Sequence, residues 1–304
     1  MSIRKITPDD AEYPKNLRNI YNPPKQLYVN GTLLESDETA VAVVGSRRAS
    51  IYGLETGEKL GFELAARGVT VVSGMAVGID SAAHRGALKA KGRTIAVMGS
   101  GHNVIYPPKN KKLYGEITKS GAVVTEYEDN IEPLAWNFPA RNRIISGLSL
   151  GIVVVEAAKN SGALITANFA AEQGRTVFAV PGKVSSSTSS GTNELIRDGA
   201  CLIQSVDDIL QELSLTPSIE PAEGVKKDKI DRSIESKTKA YIYNSLTEDE
   251  RKVYKILSDE PLYIDDIFDK TGFGSAKGSK VLLNLELKKL IAELPGKNFV
   301  RKES

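Results

Sequence analysis

Six five-residue apolar runs recur at regular intervals: AVAVV at 40–44, VTVVS at 69–73, TIAVM at 94–98, AVVTE at 122–126, IVVVE at 152–156 and TVFAV at 176–180. They are rich in β-branched residues, and apolar and polar positions do not alternate. A strand with one wet face alternates; a strand covered on both faces does not. The segments between them are amphipathic. GLETGEKLGFELAARG (53–68), for example, places Leu54, Leu60 and Leu64 at helical spacing and ends on Gly68. Strand and helix alternating in this way predict βαβ units with helices on both sides of a sheet. The expected fold class is α/β: a Rossmann-like, doubly wound, mostly parallel sheet over residues 40–213.

The flanks read differently. Residues 1–39 contain YNPPKQLYVNG (21–31), an extended, proline-bearing lead-in expected to pack on the core. Residues 214–245 are polar, carry prolines and keep no sustained period, which predicts a linker. Residues 246–304 form a last unit. Thr247 followed by Glu250 is a capping-box signature ahead of an apolar face of Val253, Ile256 and Leu257. LYIDDIFDK and SAKGSKVLLNLELKKL read as two further helices, and IAELPGKNFVRK as a hairpin. Three helices and a hairpin in this space resemble a winged helix.

Charge and cysteine content narrow the function. Forty Lys+Arg against 38 Asp+Glu leave a net charge of +2, spread over both parts of the chain, so no basic tail coats DNA. One cysteine, Cys201, excludes an intramolecular disulfide framework and fits a reducing cytosol. Two histidines and one cysteine argue against a zinc site. The start, MSIRKITPDDAEYP, lacks a signal peptide's apolar run, and no stretch is long enough for a transmembrane helix. The reading is cytoplasmic, with no membrane, metal or cofactor.

The motifs sit where strands give way to helices. VAVVGSRRASIYG (41–53) places Gly45 and Ser46 in a tight turn, where backbone N–H groups meet an anion and Arg47 and Arg48 add guanidinium donors matched to phosphate. The glycine pattern of a dinucleotide fold and the GxxxxGK[ST] of a P-loop are both missing. In SGMAVGIDSAAHRGAL (73–88), Gly74 and Gly78 permit close backbone approach. There Asp80 and His84 are four apart, a pair read as structural because no nucleophile or third ligand accompanies it.

PLAWNFPARNRIISGLS (133–149) interleaves Trp136 and Phe138 with Arg141, Asn142 and Arg143, offering ring faces for bases and cations for a backbone. The blander reading has Phe138 filling the core and Arg141 or Arg143 pairing with Glu156. Ser161 and Gly162 open a helix after the fifth strand, a second candidate phosphate site. Glu126 and Glu156 end strands and are read as loop supports rather than a catalytic pair.

Together VGSRRASIYG, SGMAVGIDSAAHRGAL, TIAVMGSGHNVIYPP, FPARNRIISGLS, VVEAAKNSGALITANFAAEQGRTVFAVPG and GTNELIRDGA, in this order over about residues 40–200, resemble the DprA/Smf family of bacterial DNA-processing proteins. The resemblance implies a single-stranded DNA-binding homodimer, not an enzyme. Its implied role is in natural transformation: protecting incoming strands, relieving their occlusion by single-strand-binding protein and loading RecA. It assigns DNA contacts to Arg47, Phe138, Arg141, Asn142 and Arg143. Many members carry a basic residue where Ala140 stands, and some where Ala135 stands, which predicts weaker binding or a shifted footprint. A helical N-terminal extension found in some members is not read here. Two competing readings remain. One is a nucleotide-binding or nucleotide-processing Rossmann-like protein using Glu126 or Glu156. The other is a winged-helix regulator contacting duplex through Lys280 or Lys288.

Overall fold

The computed structural model describes residues 3–215, 246–258, 262–288, 290–294 and 296–301. The expected linker lies, beyond its first two residues, outside them. The chain divides into two compact units, Met1–Pro221 and Ala222–Ser304.

The six apolar runs form the parallel strands β3 (Ala40–Val44), β4 (Thr70–Ser73), β5 (Thr94–Val97), β6 (Ala122–Thr125), β7 (Gly151–Val154) and β8 (Thr176–Ala179). Helices α2 (Ile51–Ala66), α3 (Ile79–Lys89), α4 (Lys111–Ser120), α5 (Asn137–Gly147) and α6 (Gly162–Glu172) connect them. The absence of alternation has its explanation in the two cores. Val41, Val43, Val71 and Val153 point to one face, against Leu60, Leu64, Ile79 and Ala83 of α2 and α3. Ala40, Ala42, Val44 and Ile152 point to the other, against Ile144 and Ile145 of α5 and Ala163, Ala167 and Ala170 of α6. Burying such a side chain contributes about 1.5–3 kcal/mol, so a polar residue at either parity is costly.

Sequence reading left out both edges of this sheet. Strands β1 (Arg4–Ile6) and β2 (Leu27–Gly31) come from the lead-in, with the short helix α1 (Lys15–Arg18) between them. The lead-in therefore extends the sheet as well as packing on it: β2 pairs antiparallel with β6, Val29 opposite Val124. It is held by a buried polar chain. The Asn30 amide donates to the Tyr114 hydroxyl at 2.7 Å, which donates to His102 Nδ1 at 2.9 Å. His102 Nε2 then donates to the Tyr28 carbonyl at 3.0 Å. At the far edge stand α7 (Ser190–Arg197), the two-residue β9 (Cys201–Leu202) and α8 (Val206–Glu212).

The strand order is β1-β2-β6-β5-β4-β3-β7-β8-β9. Chain order runs one way from β3 to β6 and the other way from β7 to β9. Between β3 and β7 the connections diverge, and a crevice opens beyond the strand C-termini. Gly45, Arg47, Arg48 and Glu156 all follow those two strand ends.

The second unit contains α9 (Glu248–Ile256), β10 (Leu262–Tyr263), α10 (Ile264–Thr271), α11 (Ser275–Leu287), β11 (Ile291–Leu294) and β12 (Asn298–Arg301). Its antiparallel sheet has the order β10-β12-β11. Val253, Ile267, Leu282, Leu285, Ile291 and Phe299 make its core. Thr247 and Glu250 close the capping box at α9: Thr247 Oγ1 accepts from the Glu250 N–H, and the Glu250 carboxylate accepts from the Thr247 N–H at 2.8 Å. Among the described residues, no helix is long and apolar enough to cross a membrane.

Candidate nucleic-acid interface

The turn after β3 is built by close approach. A Cβ on Gly45 would stand 2.6 Å from Ile79 Cγ1 and 2.9 Å from the Glu156 carbonyl, so only glycine lets the turn lie down on α3. The Ser46 N–H donates to the Glu156 carbonyl at 2.8 Å, and Ser46 Oγ accepts from the Arg48 N–H at 3.0 Å. Gly78 has φ +84°, and a Cβ there would meet the Ser46 carbonyl at 2.2 Å. These contacts lock the turn while Arg47 and Arg48 stay exposed.

The anion at the start of α2 is the chain's own. Glu156 accepts from the Ser50 N–H at 2.9 Å, the Ser50 hydroxyl at 2.6 Å and the Thr188 hydroxyl at 3.2 Å. The Ser50 hydroxyl in turn caps the Gly53 N–H. A carboxylate at a helix N-terminus is favourable for the reason that makes such ends attract phosphates. An incoming anion is thereby left to the arginine side chains.

Those side chains open onto a cavity of about 240 Å³. Arg47, Arg48, Arg85 and Lys109 line it, together with Leu54, Gly78 and Ser81; no acidic residue does. All four cations are exposed, and among the described residues none pairs with a carboxylate. Sequence reading missed Arg85 and Lys109. Arg85 lies one turn beyond Ser81 on α3, in the helix of the DSAAHR motif, but its face becomes legible only once α3 is set beside the β3 turn. Lys109 follows YPP in the loop after β5 and reaches the site because β5 lies two strands from β3. Leu54, expected in the core, is instead 38% exposed at the cavity rim.

A narrower cleft of about 60 Å³ adjoins it, with Arg47 shared. Its walls are Phe138, Tyr106, Pro107, Gly74 and Gly99, with Arg141. The Phe138 and Tyr106 rings lie 5.6 Å apart and tilted by 48°, and the Arg47 guanidinium stands 5.2 Å from the Phe138 centroid. Arg141 is only 4% exposed. Its Nη1 donates to the Gly74 carbonyl at 2.7 Å and to the Val97 carbonyl, and its Nε to the Asn142 side chain at 3.3 Å. Burial pulls the Arg141 guanidinium down to about 10, with the nearby Asp80 carboxylate acting against the shift. Burial also raises the Asp80 carboxyl, with Arg141 and the Ala76 N–H opposing it. Desolvation outweighs their mutual attraction on both sides.

The other expected residues fall elsewhere. Arg143 is tied to Glu126 by two parallel bonds of 2.8 and 2.7 Å and donates to the Asn22 and Ala140 carbonyls. Its carboxylate partner is thus Glu126, not Glu156, and both strand-end glutamates are engaged in supporting loops. Asn142 is buried and donates to the Gly162 carbonyl at 3.3 Å. Ser161 caps α6 through the Ala163 N–H, and neither Ser161 nor Gly162 lines either cavity. Trp136 is 69% exposed just before α5, outside both linings. His84 is fully buried, with Nδ1 2.7 Å from the Thr94 hydroxyl; burial lowers it to about 3.

In the second unit the cations of α11 are partly occupied. Lys288 binds the Glu250 carboxylate at 2.7 Å, and Lys277 binds Asp249 at 2.9 Å. Lys280 is exposed.

Comparison with known proteins gives this geometry its context. Residues 4–214 match the family model described as DNA recombination-mediator protein A, and residues 239–297 match the DprA winged helix domain. The chain is 39% identical over 298 residues to Protein Smf of Escherichia coli (strain K12), covering 97% of this chain and 77% of that protein. It resembles the crystal structure of DNA processing protein A from Streptococcus pneumoniae, with 43% identity and TM-score 0.67 over 70% of this chain and 75% of that one. It also resembles DNA processing protein A from Helicobacter pylori, a structure solved to describe that protein's single-stranded DNA binding mode. That match has 32% identity and TM-score 0.62 over 69% of this chain and 96% of the other. A sheet with its switch point at the Gly45 turn, a DprA winged helix module and identity running nearly end to end with Protein Smf together place the chain in the DNA recombination-mediator protein A (DprA/Smf) family.

Proposed function

We propose that the crevice over the C-terminal ends of β3, β4 and β5 holds single-stranded DNA, with phosphates on Arg47, Arg48, Arg85 and Lys109 and a base against Phe138. The observation that carries this reading is the adjacency of two unlike cavities. One is ringed by four cations without a carboxylate, the other is walled by aromatic rings, and Arg47 stands in both. Alternating phosphate and base is the repeat of a single strand, and this pairing of a cationic groove with a stacking face suits it. A duplex keeps its bases stacked inside and offers no ring to Phe138. Arg141, Asn142 and Gly74 shape the cleft, whereas Arg143, Ser161 and Gly162 belong to its scaffold.

The chain acts by binding rather than turnover, in the cytoplasm, handing protected strands to RecA and relieving occlusion by single-strand-binding protein. A homodimer doubles the cationic cavities on one strand and raises avidity. The test is RecA filament formation on strands pre-coated with single-strand-binding protein. The wild-type chain accelerates it and Arg47→Ala does not. Equal acceleration by both would remove the crevice from the mechanism.

A further inference from the structure

We infer that Arg141 reads a ring carbonyl on the bound base, so that strands bearing guanine, thymine or cytosine are preferred over adenine strands. This deepens the single-stranded DNA reading above and rests on it. A guanidinium has five N–H donors. In Arg141, Nε and Nη1 are engaged by Asn142, Gly74 and Val97, yet Nη2 has no acceptor among the described residues. The side chain is 4% exposed and lines the cleft, so solvent reaches this donor through the cleft. It lies 2.7 Å from where a Cβ on Gly74 would stand, and Gly74 and Arg141 both line the aromatic cleft. A charged donor whose free side opens on the cleft gains when a ligand oxygen replaces the water on it.

The cleft decides which oxygen. At about 60 Å³, between Phe138, Tyr106 and two glycines, it takes the edge of a flat ring. A phosphodiester would give up its hydration to enter, while four solvated cations stand ready next door. An exocyclic carbonyl projects beyond its ring and reaches Nη2. Guanine, thymine and cytosine each have one. Adenine's exocyclic group is an amine, which sets donor against donor.

The experiment compares adenine-only strands with the same strands carrying hypoxanthine at alternate positions, which replaces the exocyclic amine by a carbonyl and keeps the purine ring. Affinity is read by fluorescence anisotropy on the full chain. The expected result is binding about tenfold tighter to the hypoxanthine strand, the size of a hydrogen bond to a charged donor. That difference should shrink below about twofold in Arg141→Lys and in Gly74→Ala, whose methyl group stands against Nη2. Equal wild-type affinity for the two strands overturns the inference and leaves the DNA site intact, and this comparison needs no variant to fold. A preference that survives in either folded variant also overturns it. Failure to bind either strand defeats the reading of the site itself.

Discussion

Arg47 is exposed, bears no carboxylate and faces both cavities, so Arg47→Ala removes a phosphate contact without disturbing the core. Single-strand affinity should fall by about tenfold, and the slope of log affinity against log salt should flatten by about 0.7, the share of one phosphate. Arg143, five residues beyond Phe138 and seven beyond Trp136, behaves otherwise. Its ion pair with Glu126 is mostly buried, at 13% and 18% side-chain exposure. Arg143→Ala should cost about 3 kcal/mol of stability by urea titration, because Glu126 is left unpaired, while the folded protein keeps its DNA affinity. Sequence alone could not separate these arginines, since the residue that claims Arg143 is 17 positions away. His84 sets a pH dependence. Its folded pKa, about 3, lies below the unfolded value of 6.5, so the unfolded chain takes up the proton first. Stability is therefore intact above pH 6.5 and lost as pH falls toward 3, by up to about 1.4 kcal/mol per pH unit. Burial lowers His102 in the same direction. Denaturant midpoints at stepped pH should show this decline, and His84→Gln should flatten it.

At the scale of elements, the six central strands were legible because burial on both faces removes polar residues from every position. β1 and β9 were not, because two or three residues carry no period, and β2 was not, because LYVNG alternates over only five residues behind a proline-bearing stretch. The helix starts were half legible. Gly45 and the arginines marked the first, but Glu156, contributed by β7, is what holds the N-terminus of α2. Glu156→Ala frees the Ser50 N–H and hydroxyl and should lower stability by about 1–3 kcal/mol in thermal or urea unfolding. Because the Ser46–Arg48 turn leans on the same strand end, single-strand affinity should fall with it. A variant that loses stability and keeps full affinity would show that the turn holds its shape without α2's cap.

For the whole molecule, the account divides labour between two units. The proposed function places single-strand binding in the first. In the second, α11 already spends Lys277 and Lys288 on the acids of α9, which leaves a poorly basic helix for a duplex groove. The most direct test is a salt titration of fluorescence anisotropy with matched single- and double-stranded oligonucleotides, comparing the full chain, Arg47→Ala and a chain ending at residue 214. The account predicts that the shortened chain keeps its preference for single strands and that Arg47→Ala loses it. Binding that disappears with residues 215–304 and favours duplex would contradict it and move the site to the winged helix.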